Sequence, residues 1–435
     1  MTIWPDAGCA MAEESGDHSA VDGRTEGPGG SAPSPAGQLA GLAGRAAGTL
    51  ARWPWYAQVL ALWAAARLFS TAVLVAAARF QPAGPWGEAS PSYGEFINIW
   101  DAQWYSRIYE DGYPAAVPRD PTGKAQENEW AFYALFPVLV RGLDALTGLG
   151  WNVLAPVAAT LAGFAAALVV YRLFRLRAQH GTAMWGLAFV AVFPVSPILQ
   201  VPYAESLNLL LLAAALYLLV SRRYLTAIPV VVLMCLSRPV GVPFALAVGL
   251  VFVVRLARRR HTEPAPWQAW RLVALTAVSG VSALAWPAIA WAFTGDLRAY
   301  TDTESAWRYG DLIPFKPWLT MSQHLFGSVF GPVLLAVLVL AAAVYLSSAS
   351  VRRLGLELQL WCASYVLYLL VFLNPQTSTF RLLLPLFPLA LSTAWLSRSR
   401  AYRGAVAAAF AVLQIVWVVW LWRWTELPGG GDYPP

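Results

Sequence analysis

The stretch YGEFINIWDAQWYSRIYEDGYP, residues 93–114, crowds acids and aromatics together in a chain that is 58% hydrophobic and only 12% charged. Asp101 stands out in it, flanked by Trp100 and followed by Trp104 and Tyr105. A single carboxylate held among rings at the edge of water is suited to take a proton from a hydroxyl. Three further polar clusters interrupt apolar runs: QVPYAES with Tyr203 and Glu205, SRPVG with Arg238, and NPQTSTFR with Gln376 and Arg381. A guanidinium at a break flanked by proline and glycine joins freed backbone N–H groups, a combination that suits an anion. Asp101 with Glu205 could also hold a hard divalent cation with waters, although two carboxylates are a generic set and no other cofactor is indicated.

Other chemistries find no support. His18, His180, His261 and His324 are scattered singly, and Cys9, Cys235 and Cys362 form no CxxC or disulfide-like spacing. No Walker or dinucleotide glycine pattern occurs, and no repeat of about 20 to 50 residues.

The elements that must carry these residues are membrane helices. A charge content of 12%, with 22 tryptophans, is far from the roughly 25% of a soluble domain. A span needs about 20 apolar residues. The candidates number eleven: 56–78, 151–171, 182–199, 204–220, 225–237, 239–254, 272–293, 328–346, 356–373, 381–397 and 404–422. Residues 1–52 are polar and rich in Gly, Ala, Ser and Pro, which predicts a disordered cytoplasmic tail ahead of a signal anchor. Residues 53–424 form one polytopic domain, and 425–435 a short C-terminal tail.

Loop charge fixes the expected orientation. The loops at 172–181, 221–224, 255–271, 347–355 and 398–403 hold fifteen arginines against one acid, Glu263, whereas 79–130 holds eight acids against Arg79, Arg107, Arg119 and Lys124. The positive-inside bias places the acid-rich loop outside, and it accounts for the net charge of +6 without nucleic acid. Glu205, Arg238 and Arg381 then gather on that outer side and should face protein or a watery cavity. Arg67, in mid-span, needs a buried partner. The segment 131–150 carries Arg141 and Asp144 and reads as interfacial or re-entrant, and 225–254 splits at SRPVG into two short helices.

Within 93–114, Ser92 and Glu95 form a capping-box pattern, and Gly112 and Pro114 a stop, so one helix is expected over 93–110. Phe96, Ile97, Trp100, Trp104 and Ile108 fall within about 120° on its wheel, a stripe suited to lie on the membrane surface with Asp101 and Tyr105 along its edge.

Trp100-Asp101-x-x-Trp104-Tyr105-x-x-Ile108-x-x-x-Gly112-Tyr113 resembles the first outer-loop signature of PIG-V type mannosyltransferases, of the GT-C glycosyltransferase superfamily. FYALFPVLVR (132–141), YAES (203–206), SRPVG (237–241) and RLLLPLFPL (381–389) resemble further motifs of that family, so the likeness runs from about residue 60 to 400. The resemblance implies an all-α, GT-C-like bundle of about eleven transmembrane helices with a large first extracytoplasmic loop, 79–150, containing interfacial helices. It implies inverting transfer of mannose from polyprenyl-phosphate-mannose to a hydroxyl of a glycolipid, lipoglycan or protein, outside the cell membrane. Asp101 would be the base. Arg238 and Arg381 would hold the phosphate, and Trp100, Trp104, Tyr105, Tyr203, Glu205 and Gln376 would contact substrate. Where many relatives carry histidine, this chain has Trp104, which offers only a neutral indole N–H. Acceptor contacts are expected from 294–327, with Asp296, Arg298, Asp302, Glu304, Arg308 and Asp311. The rival readings are a lipid-linked sugar flippase, which needs polar residues along its whole groove, and an inactive membrane scaffold.

Overall fold

The computed structural model describes residues 52–257, 266–308, 313–427 and 435. The chain divides into Met1–Trp53 and Pro54–Pro435, and the second unit holds everything described below. The expected N-terminal tail up to residue 51, Arg258, Arg259, Arg260 and Glu263 of one arginine-rich loop, Asp311, and residues 428–434 of the C-terminal tail lie outside the described residues.

The protein is a polytopic, all-helical membrane protein. Among the described residues β pairing is limited to the isolated bridges Gly84–Gly87 and Arg119–Ala125. Helices occupy all eleven expected places, but not all at full length. Among the described residues four are long and apolar enough to cross a membrane alone: Trp55–Ala78, Trp151–Arg175, Ala269–Thr294 and Arg400–Trp422. Thr377–Leu386 with Pro388–Leu396 makes a fifth if that pair, bent by 79°, is one span. Glu205–Val220, Tyr224–Cys235, Gly241–Ala257, Phe330–Leu346 and Leu356–Phe372 are shorter, and His180–Ala191 continues through a turn into the 3-10 segment Ser196–Gln200. The shortfall has a physical cause. Non-helical backbone at membrane depth is tolerated where it is buried in protein or lines a cavity, and the breaks at 236–240 and 373–387 do line one.

Ion pairs tie the arginine-rich turns to one another and the acid-rich loop to its neighbour. Glu357, at the start of Leu356–Phe372, takes Arg177 at 3.2 Å and Arg255, which also reaches the Tyr224 hydroxyl, so the arginine-rich turns meet at one end. At the other end Arg119 bridges Asp296 and Asp302, each at 2.8 Å, tying the acid-rich loop to the 294–308 connection. SRPVG does separate two helices, Tyr224–Cys235 and Gly241–Ala257. Residues 131–150 form the helix Leu135–Thr147, closed by Gly148 in the left-handed conformation.

Arg67 is buried, and among the described residues it has no acidic partner. Its guanidinium donates to the carbonyls of Ala191, at 2.6 Å, and Ser196, and to the Ser196 hydroxyl at 3.0 Å. Gln414 and Ser70 extend this network across the bundle. The donors complete backbone carbonyls freed where His180–Ala191 ends, which makes Arg67 a structural plug.

The acidic loop departs most from expectation. The single helix over 93–110 is two, Tyr93–Ile97 and Asp101–Asp111, broken at Asn98–Trp100. The aromatic stripe does not lie on lipid: Phe96, Ile97, Trp100 and Ile108 are all buried against protein. A period of 3.6 marks an apolar face without saying whether lipid or protein covers it.

Candidate active site

The capping box at Ser92 and Glu95 forms, with the Glu95 carboxylate accepting the Ser92 N–H at 2.7 Å. After Ile97 the chain turns through Trp100, which adopts φ 61° and ψ −130°. Such a conformation costs a non-glycine residue about 1–3 kcal/mol and persists only when its surroundings impose it. Here the Trp100 indole donates to the Trp422 carbonyl at 2.8 Å, and the Trp422 indole donates back to the Phe96 carbonyl at 3.0 Å. Trp422 ends a π-helical turn, Val418–Trp422, that closes the last span. The locked break makes Asp101 the first residue of its helix, where the helix dipole favours a carboxylate. Its backbone N–H donates to the Tyr203 hydroxyl at 3.0 Å, and the Tyr203 ring packs on Trp422.

Four charged side chains from four distant segments meet here. Arg381 donates to Asp101 Oδ2 at 2.5 Å and stands 3.9 Å from Glu205 Oε1. Arg238 donates to that same Glu205 oxygen. Asp101 and Glu205 are 8% and 6% exposed and the two arginines are partly buried, so the quartet is largely enclosed and internally neutral. Local sequence explains each placement. Glu205 opens the helix Glu205–Val220 after the YA turn. Arg238 sits in the proline break, whose Ser237 is tied to Asn208 of that helix at 2.8 Å. Arg381 lies in a 3-10 segment whose start is capped by Gln376 and Thr379.

The quartet faces a cavity of about 210 Å³. Asp101, Glu205, Arg238, Gln376 and Arg381 line it, as do Glu304 and Arg308 from the 294–327 connection. Phe132, Trp307, Tyr365, Tyr368 and Phe372 form an aromatic wall, and Asn208, Asn374 and Ser378 add neutral polar groups. Trp100, Trp104, Tyr105 and Tyr203, four residues expected to contact substrate, stand behind this lining. Trp104 stacks on Phe132, with Trp307 edge-on at 5.1 Å and the Arg107 guanidinium over its ring. Tyr105 is fully buried among Phe132, Phe136 and Tyr203, and burial pushes its phenol well above the ordinary value, so it stays neutral. Of the six residues expected to touch an acceptor, Glu304 and Arg308 line the cavity. Asp296 and Asp302 serve the Arg119 bridge.

Sequence reading missed Tyr365, Tyr368, Asn208 and Trp307. Tyr365 and Tyr368 share a helix face at i, i+3, and Asn208 is i+3 from Glu205. Those spacings were the available signal.

Two buried atoms at the cavity, Glu205 Oε2 and Arg381 Nε, have no hydrogen-bond partner. Buried atoms away from the cavity, such as Trp63 Nε1 and Arg67 Nε, are in the same state. A divalent cation fits the cavity carboxylates poorly. Each carboxylate is already held by an arginine, and among the described residues no group of three or more His, Cys, Asp or Glu stands together.

Trp422 lies far from the cavity in sequence yet fixes the Trp100 turn. Trp422→Phe keeps the ring and deletes the N–H. Transfer is expected to fall roughly ten- to a hundredfold through misplacement of Asp101, with lipid-phosphate affinity unchanged. Equal losses in binding and turnover would mean general disruption instead.

No family model matches the chain, and no curated protein matches it. Among solved structures it is similar to ArnT from Cupriavidus metallidurans bound to undecaprenyl phosphate, at 13% identity and a TM-score of 0.49, over 82% of this chain and 63% of that one. It is also similar to the Archaeoglobus fulgidus oligosaccharyltransferase tethered with an acceptor peptide containing the NVT sequon, at 12% identity and a TM-score of 0.38, over 85% and 55%. The chain thus spans less than two thirds of either protein's length.

Proposed function

We propose that this protein is a GT-C glycosyltransferase of the PIG-V type, which transfers mannose from polyprenyl-phosphate-mannose to an acceptor hydroxyl with inversion. The observation that supports the reading is the convergence of Asp101 with Arg381, Glu205 and Arg238 on one cavity. The acceptor oxygen attacks C1 of the sugar, forming the new C–O bond as the C1–O bond to phosphate breaks. The hydroxyl proton passes to the Asp101 carboxylate. The electron pair leaves on the phosphate oxygen, giving polyprenyl phosphate. A phosphate leaves without general-acid help, so one carboxylate is enough. Arg381 and Arg238 supply the positive charge that the developing phosphate needs. Glu205 Oε2, buried and unpaired, suits a sugar hydroxyl. The aromatic wall of Phe132 and Trp307 gives apolar faces for the sugar ring, and Glu304 and Arg308, paired with each other at 2.9 Å, line the side proposed for the acceptor.

In this reading the acid-rich end faces outward across the cell membrane and the chain enters it from a cytoplasmic N-terminus. A flippase fits less well, because Arg67, the charge in mid-span, caps backbone carbonyls and is absent from the cavity lining.

The test is an assay of the purified protein with radiolabelled polyprenyl-phosphate-mannose against polyprenyl-phosphate-glucose, over glycolipid, lipoglycan and peptide acceptors, with and without chelator. Mannose transfer that survives chelation is the expected result. No turnover with any donor and acceptor, from protein that co-purifies with another membrane enzyme, would make it a scaffold.

A further inference from the structure

We infer that the Asp101–Arg381 ion pair is an exchange site, in which the phosphate of a polyprenyl-phosphate lipid displaces Asp101 from Arg381 and so releases the carboxylate when that lipid is bound. The inference rests on the proposed function and concerns how that site is controlled. In the free protein Oδ2 of Asp101 accepts a charge-assisted hydrogen bond from Arg381 at 2.5 Å. That bond ties Oδ2 to the cation and leaves Oδ1 as the oxygen not engaged by Arg381. The two side chains are only 11% and 12% exposed, so water screens the bond little.

Arg381 is nevertheless built to let go. Its Nε has no partner, and Glu205 Oε1 stands 3.9 Å from its Nη1. The guanidinium therefore keeps a compensating charge when Asp101 leaves. Glu205 itself is held by Arg238 and stays in place. Asp101 is anchored independently of Arg381, through its backbone N–H to Tyr203 and the Trp100–Trp422 lock. Exchange thus needs only side-chain rotation. A phosphate presents oxygens to both terminal nitrogens of one guanidinium, a bidentate geometry that the present one-oxygen contact with Asp101 does not use.

Two anions competing for one cation are negatively coupled, and removing one strengthens the other. The experiment measures dissociation constants of farnesyl phosphate, a short polyprenyl monophosphate, and of inorganic phosphate, on full-length protein in nanodiscs. Asp101→Asn and Asp101→Ser are both used, so a folding defect in one leaves the other. Each should bind farnesyl phosphate about five- to tenfold more tightly than wild type, within the usual range of such couplings. Arg381→Gln should abolish the gain. The same tightening for inorganic phosphate would assign recognition to the phosphate alone; tightening confined to farnesyl phosphate would assign it to headgroup and chain together. Unchanged or weaker binding in both Asp101 variants, with binding still dependent on Arg381, would overturn the exchange and leave the proposed function standing. Failure of wild type to bind farnesyl phosphate would overturn both.

Discussion

Asp101→Asn is expected to leave the protein inserted and folded while lowering sugar transfer by at least about a hundredfold, the lower bound for losing a positioned general base. The substitution is nearly isosteric. Asn keeps a side-chain carbonyl that can still accept from Arg381, and the N–H that binds Tyr203 belongs to the backbone and is unaffected. The Trp100–Trp422 lock lies outside the side chain altogether. What Asn cannot do is take the acceptor's proton. The loss should therefore appear in kcat, with KM for donor lower, because the competing charge on Arg381 has gone. The measurement is initial-rate kinetics on purified variant with labelled donor, alongside thermal unfolding in detergent. Wild-type turnover in Asp101→Asn would remove Asp101 as base, whatever else the protein transfers.

The charged residues of this site were legible in the sequence because membranes make charge expensive. Glu205, Arg238 and Arg381 each interrupt an apolar run on the same side of the charge-counted topology, and the structure brings them within a few ångströms of one another and of Asp101. The break between Tyr224–Cys235 and Gly241–Ala257 was legible too, from Pro239 and Gly241, whereas the 79° bend between Thr377–Leu386 and Pro388–Leu396 was not. What stayed hidden was the break at Asn98–Trp100. No glycine or proline marks it, and Trp100 takes a positive φ only because an indole donates to a carbonyl 322 residues away. A local pattern cannot report a constraint of that range. For the same reason the tryptophans looked like a lipid-facing belt, when Trp100 and Trp104 are buttresses for the turn before Asp101 and for the aromatic wall. Trp307 was missed because it lies among polar residues of a connecting helix, Ala299–Trp307, with no apolar periodicity to flag it.

Arg238→Met should destabilise the protein by about 3–5 kcal/mol and abolish transfer, the stability loss being the usual consequence of leaving a buried charge without its partner. Glu205 is 6% exposed, and with Arg238 gone its remaining compensation would be Arg381, at 3.9 Å and already engaged by Asp101. The double variant Arg238→Met/Glu205→Gln removes both charges together. Its stability should return to within about 1 kcal/mol of wild type, since a buried ion pair replaced by neutral groups of similar volume is often neutral in energy. Its activity should not return, because the cavity would have lost one of its two inner cations and the carboxylate offered to the sugar. A double-mutant cycle on thermal stability, with transfer measured on the same preparations, separates the two roles. If both stability and transfer recover in the double variant, the Arg238–Glu205 pair is scaffold only. Phosphate stabilisation then falls to Arg381 alone, the residue whose attachment to Asp101 makes it the natural link between donor binding and proton transfer.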